Sequence, residues 1–510
     1  MPFFSDSVTM ENRIENRIEN DNGGKTMGAF EQLEPKSVFG FFEKICSIPH
    51  GSGNVGQISD YLVSFAKERG LEHYQDAAKN VIIIKEASEG YENEEPLILQ
   101  GHMDMVAVKT PACDIDMKKD GLRIAVDGDW AYAEGTSLGG DDGIAVAYSL
   151  ALLDSDTIKH PRLEVVITTE EETGMDGARA IDLSMLKGHR MLNLDSEEEG
   201  IFLASCAGGA RVNCHVPVER EHKSGIHYEL FVKGLQGGHS GEMIKLERGN
   251  SNVLAGRILS EVQDAIGAEN LYLMSLEGGL ADNAIPRETQ VQLLVPEDKT
   301  EALEAAVRKS ESDIQKELAT KDPDFQVSLV RGEKEEADVM NADSARKVTQ
   351  VMLTLPNGVQ ANSADVPGLV ETSLNMGVLK TGENEVSMHF SVRSSVESSK
   401  ENLIRKIYTI VGFAGGHCDT AGTYPGWAFR KDSKLREKMV AIYEEMYGKT
   451  PEIQAIHAGL ECGLLSAKIS DLDCVSIGPD MRDIHTTEEK LSISSTKRVW
   501  EFVVEVVSRK

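Results

Sequence analysis

Two histidines and several carboxylates stand just beyond apolar runs in this chain, in positions that suit metal ligation. The segment Pro96-Leu-Ile-Leu-Gln-Gly-His-Met-Asp-Met105 drives an apolar stretch into His102 and, two residues on, Asp104. A neutral imidazole can ligate a metal, and a carboxylate beside it can fix its tautomer from behind. Similar placements recur: Asp141 in the turn Gly139-Gly-Asp-Asp-Gly143, Glu170-Glu-Glu172 after an apolar run at 163–168, Asp195 after 191–194, and His485 beyond 474–477 and Gly478-Pro479. Singly, each has an ordinary explanation. Glu170 to Glu172 reads as a solvated charge run, and Gly and Asp suit the backbone angles of a turn. Together, carboxylates converging after buried strands would repel one another unless cations lay between them. A mixed nitrogen and oxygen donor set without thiolates suits zinc, cobalt or manganese, and not a structural zinc site.

These residues meet only if the runs that carry them are strands of one sheet. In an open α/β sheet, binding groups gather in the crevice at the carboxyl ends of the strands. The pattern predicts helices over 37–46 and 58–69, a β-branched strand over 81–84, strands over 97–100, 163–168 and 191–194, and a helix over 143–153. Strand and helix alternating in this way argue for an α/β sheet, and almost wholly apolar strands argue for helices on both faces. After Gly208 the rhythm changes to strand 228–234, helix 252–265, strands 271–276 and 289–295, helix 302–318 and strand 325–330. That succession is the ferredoxin-like order. A helix at 345–355, strands at 374–379 and 385–392, and a helix at 400–411 extend the region, before helix 433–447, strand 474–477 and helix 494–508 restore α/β character. The expected organisation is an α/β domain formed by 29–207 and 423–510, interrupted by an inserted α+β lid over 208–422. Residues 1–28 read as a disordered tail that carries a period-four repeat, Glu11-Asn-Arg-Ile-Glu-Asn-Arg-Ile-Glu-Asn20, and Met27 offers a second translation start.

Composition narrows the function. With 510 residues, 40% hydrophobic and 27% charged, the chain can bury a large core and divide into domains. Its 53 Lys and Arg stand against 84 Asp and Glu, and the formal net charge of -31 repels phosphate backbones and anionic lipid. Nucleic acid and membrane surfaces are therefore not expected partners. The seven cysteines are scattered without a C-x-x-C pair, which fits a reducing, cytoplasmic location. No run of eighteen apolar residues occurs to span a membrane.

The motifs Gly101-His-Met-Asp104, Gly139-Gly-Asp-Asp-Gly143, Glu171-Glu-Thr-Gly-Met175, Asn193-Leu-Asp195, Gly237-Gly-His-Ser-Gly241, His457-Ala-Gly-Leu-Glu-Cys-Gly463 and Gly478-Pro479 with His485 occur in this order. Together they resemble the aminoacyl-histidine (cytosolic non-specific) dipeptidases. These belong to the dinuclear zinc exopeptidase group that includes aminoacylases and carnosinases. The resemblance runs from about residue 30 to the C-terminus. It implies two zinc ions per subunit, with cobalt or manganese as substitutes. Asp141 would bridge the ions, His102 and Asp195 would complete one ligand set, and Glu172 and His485 the other. Glu171 would be the general base for attack by a water shared between the ions, with Asp104 behind His102, and the Asp141–Asp142 peptide would be cis. His239 would reach the oxyanion, in relatives often from the partner subunit's lid, so a homodimer is expected. Asn283 is a second donor candidate, Arg393 can fork two hydrogen bonds onto a substrate carboxylate, and Glu461, with His457 nearby, is the candidate to meet a free amine. The implied substrates are dipeptides with both termini free, Xaa-His and broader. The chain departs from the resemblance at Gly140 and Thr173, where alanine is usual, at Asp142, where asparagine is frequent, and at Thr486-Thr487, where serine and proline are common. An aminoacylase-type hydrolase of N-acyl amino acids is the alternative reading. A peptide sensor with a retired metal site is another, but it requires a missing ligand or base, and none is missing.

Overall fold

A computed structural model describes residues 28–510; the repeat and the Met27 start, like the rest of the expected tail up to residue 27, lie outside the described residues. The runs that end near the candidate ligands are strands of one eight-stranded sheet. Its order is Glu72–Gln75, Val81–Lys85, Leu163–Thr168, Leu97–His102, Arg190–Asn193, Asp473–Ser476, Ile201–Cys206 and Glu452–Ile456. Leu97–His102 lies parallel to both Leu163–Thr168 and Arg190–Asn193, and Asp473–Ser476 lies parallel to Arg190–Asn193. Their carboxyl ends therefore share one edge. The register pairs His102 with Thr168, Gln100 with Asn193, and Ser476 with Asn193. Residues just past each strand end are thereby brought together, although they are hundreds of positions apart in the chain.

Alternation along these strands divides the core. Ile83, Leu99, Val165, Ile167, Leu192 and Val475 face a cluster built with the helices Lys36–Cys46, Gly140–Asp154 and Ile493–Ser508. Ile82, Ile84, Ile98, Val166, Met191 and Cys474 face the opposite cluster with Asp176–Ala180 and Glu461–Lys468. Every residue from Gly140 to Leu153 is buried; Asp141 and Asp142 are non-helical, and the regular helix that follows them runs through the interior and anchors that turn at the sheet edge.

A second, nine-stranded sheet is formed by the strands from Gly208–Pro217 to His417–Tyr424 other than Gly238–His239 and Ala284–Ile285, which pair with each other in a two-stranded sheet. Gln326–Met340, Arg220–Lys233, Thr289–Val295 and Tyr272–Gly278 are adjacent in that order and antiparallel throughout, the 4-1-3-2 arrangement of a ferredoxin-like unit. Two strands are longer than their apolar cores suggest. Arg220–Lys233 and Gln326–Met340 continue as a paired ribbon whose outer half is polar and exposed, because backbone pairing alone extends it without burying side chains. Sequence periodicity also missed Gly208–Pro217, His417–Tyr424 and the small sheet of Ile124–Asp127, Trp130–Ala133, Met481–Arg482 and Lys490–Ser492. The small-sheet strands are at most four residues long, too short to show a period, while His417–Tyr424 is a mostly exposed edge strand with little apolar contrast.

Gly478, where the chain leaves Asp473–Ser476 toward His485, has no room for a side chain. A β-carbon there would lie 1.5 Å from the Ser196 carbonyl oxygen. Gly478→Ala is expected to destabilise the fold by about 3 kcal/mol, as overpacking against immovable backbone does. Chemical denaturation checks this, and an unchanged midpoint would contradict it.

Candidate active site

The structure gathers His102, Asp141, Glu172, Asp195 and His485 at one place. Asp141 is central: its Oδ1 lies 3.0 Å from His102 Nε2 and its Oδ2 lies 3.1 Å from His485 Nε2. Asp195 Oδ1 lies 3.5 Å from His102 Nε2, and Glu172 Oε1 lies 3.0 Å from His485 Nε2. One imidazole and one further carboxylate thus flank each oxygen of Asp141. Ligand atoms of His102, Asp141 and Glu172 are close enough to hold one ion, as are those of His102, Asp142 and Asp195. Asp142 is the less available of the two aspartates, because its Oδ2 accepts the backbone N–H of His102 at 3.1 Å. The Asp141–Asp142 peptide is cis, as the resemblance implies.

The groups behind these residues fix their directions. His102 Nδ1 bonds the backbone carbonyl of Asp104 at 2.9 Å, while the Asp104 carboxylate lies 3.5 Å away. The tautomer is therefore set mainly by main chain and not, as expected, by the carboxylate. The carboxylate of Asp104 instead accepts the Glu171 N–H at 3.1 Å and the Ser52 hydroxyl at 2.8 Å, tying His102 to the loop that carries Glu171 and Glu172. Glu170 bends that loop with a left-handed φ of 56° and accepts the Gly53 N–H at 2.8 Å. The charge-run explanation fails here: Glu170 caps a neighbouring loop, while Glu171 and Glu172 turn inward.

Electrostatics supply the test of whether metal fits. Among the described residues, no lysine or arginine lies within ion-pair distance of Asp141, Asp142, Glu171, Glu172 or Asp195; histidines are their cationic neighbours. Burial pushes Asp195 up to about 6, with His102 opposing. Burial, together with the charges of Asp195, Glu461 and Glu172, holds Glu171 well above the usual carboxylate range. Hydrogen bonds to Asp141 and Glu172 raise His485 to about 10; at His102, burial opposes the cation, but Asp195, Asp104 and Asp141 outweigh it and raise it too. Asp142 Oδ1 is buried with no hydrogen-bond partner, and Glu172 Oε1 faces the His485 ring nitrogen. Surplus negative charge, two imidazoles and an orphaned carboxylate oxygen are the chemistry of a site for divalent cations, and the donor set fits two.

The other expected residues divide into two groups. His239 pairs across a two-stranded sheet with Ala284, next to Asn283, whose carbonyl accepts the Ser240 N–H at 2.8 Å. Arg393, with its Nε buried and unpartnered, bonds the Tyr424 hydroxyl at 3.2 Å and lines a cleft with Asn283, Thr173 and Gly174, directly beyond Glu172. Burial and the Arg393 charge lower His239, and the same causes lower His457 to about 4, so both are neutral imidazoles at pH 7. His457 Nε2 is engaged by Ser373 Oγ at 2.7 Å. Glu461 is fully buried beneath the site, where its carboxylate accepts from Thr168 Oγ1 at 2.5 Å and Gln100 Nε2 at 2.6 Å. Burial raises it to about 8, so it carries a proton at pH 7. Sequence reasoning missed this underlying layer, in which Asn193 Nδ2 donates to Gln100 Oε1 at 2.6 Å. The polar Gln100 and Thr168 inside apolar strands were its available signal.

A parallel-sheet crevice that gathers two imidazoles and two further carboxylates around Asp141 defines a metal-dependent hydrolase of the two-ion type. Residues 98–509 match peptidase family M20/M25/M40, and the chain belongs to that family. It is 37% identical over 483 residues to the cytosol non-specific dipeptidase of Escherichia coli (strain K12), covering 94% of this chain and 99% of that protein. Its structure is similar to that of an aminoacylhistidine dipeptidase from Vibrio alginolyticus, with a TM-score of 0.88 and 36% identity across 94% of this chain and 98% of the other. An aminopeptidase PepT from Bacillus cereus, at 16% identity and a TM-score of 0.53 over 93% of this chain and 98% of its own, shares the fold.

Because His102 and His485 are raised, the metal-free site holds imidazole protons near pH 7 that incoming cations must displace. Zinc affinity is therefore expected to rise with pH between about 6 and 8, with net proton release on binding. Calorimetry in buffers of different ionisation enthalpy checks this, and pH-independent binding without proton release would contradict it.

Proposed function

We propose that the chain is a cytoplasmic, homodimeric dipeptidase that uses two zinc ions to cleave dipeptides with free amino and carboxyl termini, Xaa-His among them. The observation that carries the reading is the position of Asp141 between the two imidazoles, with Glu171 adjoining the ligand Glu172. Identity of 37% to a protein named for dipeptide hydrolysis, along nearly its whole length, supports the substrate class. Bound ions would lower the pKa of a water and polarise the scissile carbonyl. The protein's own groups do the rest.

Glu171 is the proton carrier. Its backbone is fixed by Asp104, and burial with surrounding negative charge raises its proton affinity, which suits a group that takes a proton from attacking water and hands it to the leaving amine. His239 and Asn283, adjacent on the lid sheet, are the donors to the developing oxyanion. The buried Arg393, with donors to spare, takes the substrate carboxylate. A peptide extended at its carboxyl end would leave that guanidinium unpaired, so binding selects short substrates.

Glu171→Gln is expected to retain two bound zinc ions while losing at least about a thousandfold in kcat. Metal analysis with single-turnover kinetics on a dipeptide checks it, and near-normal turnover would reject the role. Arg393→Ala is expected to raise KM about tenfold or more for dipeptides with a free carboxylate and leave amidated dipeptides unchanged. Equal effects on both would refute the assignment, and cleavage of acetylated amino acids without dipeptide hydrolysis by the unaltered protein would select the aminoacylase alternative.

A further inference from the structure

The turn that delivers Asp141 is held by a side chain outside the ligand set. The backbone N–H groups of Leu138 and Gly139 point at Glu489 Oε2, at 2.7 and 3.0 Å, and those of Gly140 and Asp141 point at Oε1, at 2.8 and 3.5 Å. Successive N–H groups that converge in this way form a nest for an anion, here filled by the protein's own carboxylate. Gly139 makes the nest possible by its left-handed φ of 70°. Gly140 leaves space for it, since a β-carbon there would come within 3.3 Å of Glu489 Oε1 and 3.2 Å of Met481 Sδ.

Glu489 is 3% exposed, and among the described residues no lysine, arginine or histidine pairs with it. Its four-point acceptance of main chain is thus its whole engagement. The placement along the chain is equally specific. Glu489 lies four residues after His485 and directly before Lys490–Ser492, which pairs with Trp130–Ala133, the strand leading into the Asp141 turn. The loop bearing one histidine ligand therefore also grips the backbone of the bridging aspartate.

We infer that Glu489 is a positioning residue: by clamping the 138–141 backbone it aims the two carboxylate oxygens of Asp141 at His102 and His485, and so sets how tightly the paired cations are held. The inference rests on the metal-centre reading above. Without the carboxylate, four buried donors lose an acceptor that matches them in charge and geometry, and the turn can rotate Asp141 off the line between the imidazoles.

The test is zinc affinity of the full chain, measured by competition with a chromophoric chelator, for the unaltered protein, Glu489→Gln and Glu489→Asp, with the melting temperature of each metal-free protein measured alongside. Both variants are expected to hold zinc at least about tenfold more weakly, as loss of supporting contacts to ligands does. A merely structural role would lower the metal-free melting temperature and leave affinity unaltered, and that result would overturn the inference. Amide hydrogen exchange on the unaltered, metal-free protein provides a reading independent of variant folding. The amides of Gly139 and Gly140 are expected to be strongly protected, and exchange at the rate of an open loop would overturn the inference. Failure of the unaltered chain to bind two zinc ions would instead sink the metal-centre reading, and the inference with it.

Discussion

Asp141 sets one carboxylate oxygen 3.0 Å from His102 and the other 3.1 Å from His485, in a pocket where Asp195, Glu171 and Glu172 crowd with no lysine or arginine among the described residues to neutralise them. Like charges at such distances in a poorly solvated site are tolerable only with protons or cations between them. The rest of the molecule can be understood as the scaffolding that this crowding demands. Parallel strands bring these side chains to one edge, and the buried helix that follows the non-helical Asp141 and Asp142 anchors the turn that carries Asp141.

Behind the ligands lies a layer that converts a cluster of charges into a defined geometry. The main chain of Asp104 orients one imidazole, and its carboxylate binds the loop that carries Glu171. Deeper still, Thr168 and Gln100 bond Glu461, and Asn193 bonds Gln100, so that adjacent strands are stitched by side chains directly beneath the centre. Side-chain bonds of this kind tie neighbouring strands together, which suits a site where misplacement of reacting groups is costly. Above it, the lid presents neutral imidazoles and a guanidinium, the complementary chemistry for an oxyanion and a carboxylate.

Much of this was legible from residue order. The strands at 97–100, 163–168 and 191–194 are short apolar runs whose ends carry the ligands, and period and composition suffice to find them. The ferredoxin-like order of the second sheet was legible for the same reason. What escaped was structure that depends on partners instead of pattern. The mostly exposed His417–Tyr424 strand shows no apolar contrast, and the ribbon extending Arg220–Lys233 is held by pairing alone. In the site, the bonds that Glu461 makes to Thr168 and Gln100 at the start of a helix with a buried first turn were not legible, because they join residues hundreds of positions apart. Glu489 went unnoticed because a glutamate in a polar segment carries no mark of the four amides it faces.

The central claim is that one aspartate joins two cations, and paramagnetic loading tests it most directly. Metal-free protein titrated with cobalt(II) should take up two ions per chain, with an electron paramagnetic resonance signal that is diminished by spin coupling once both are bound, and Asp141→Asn should abolish the coupling. Uptake of a single ion, or two ions whose signals simply add, would contradict the account.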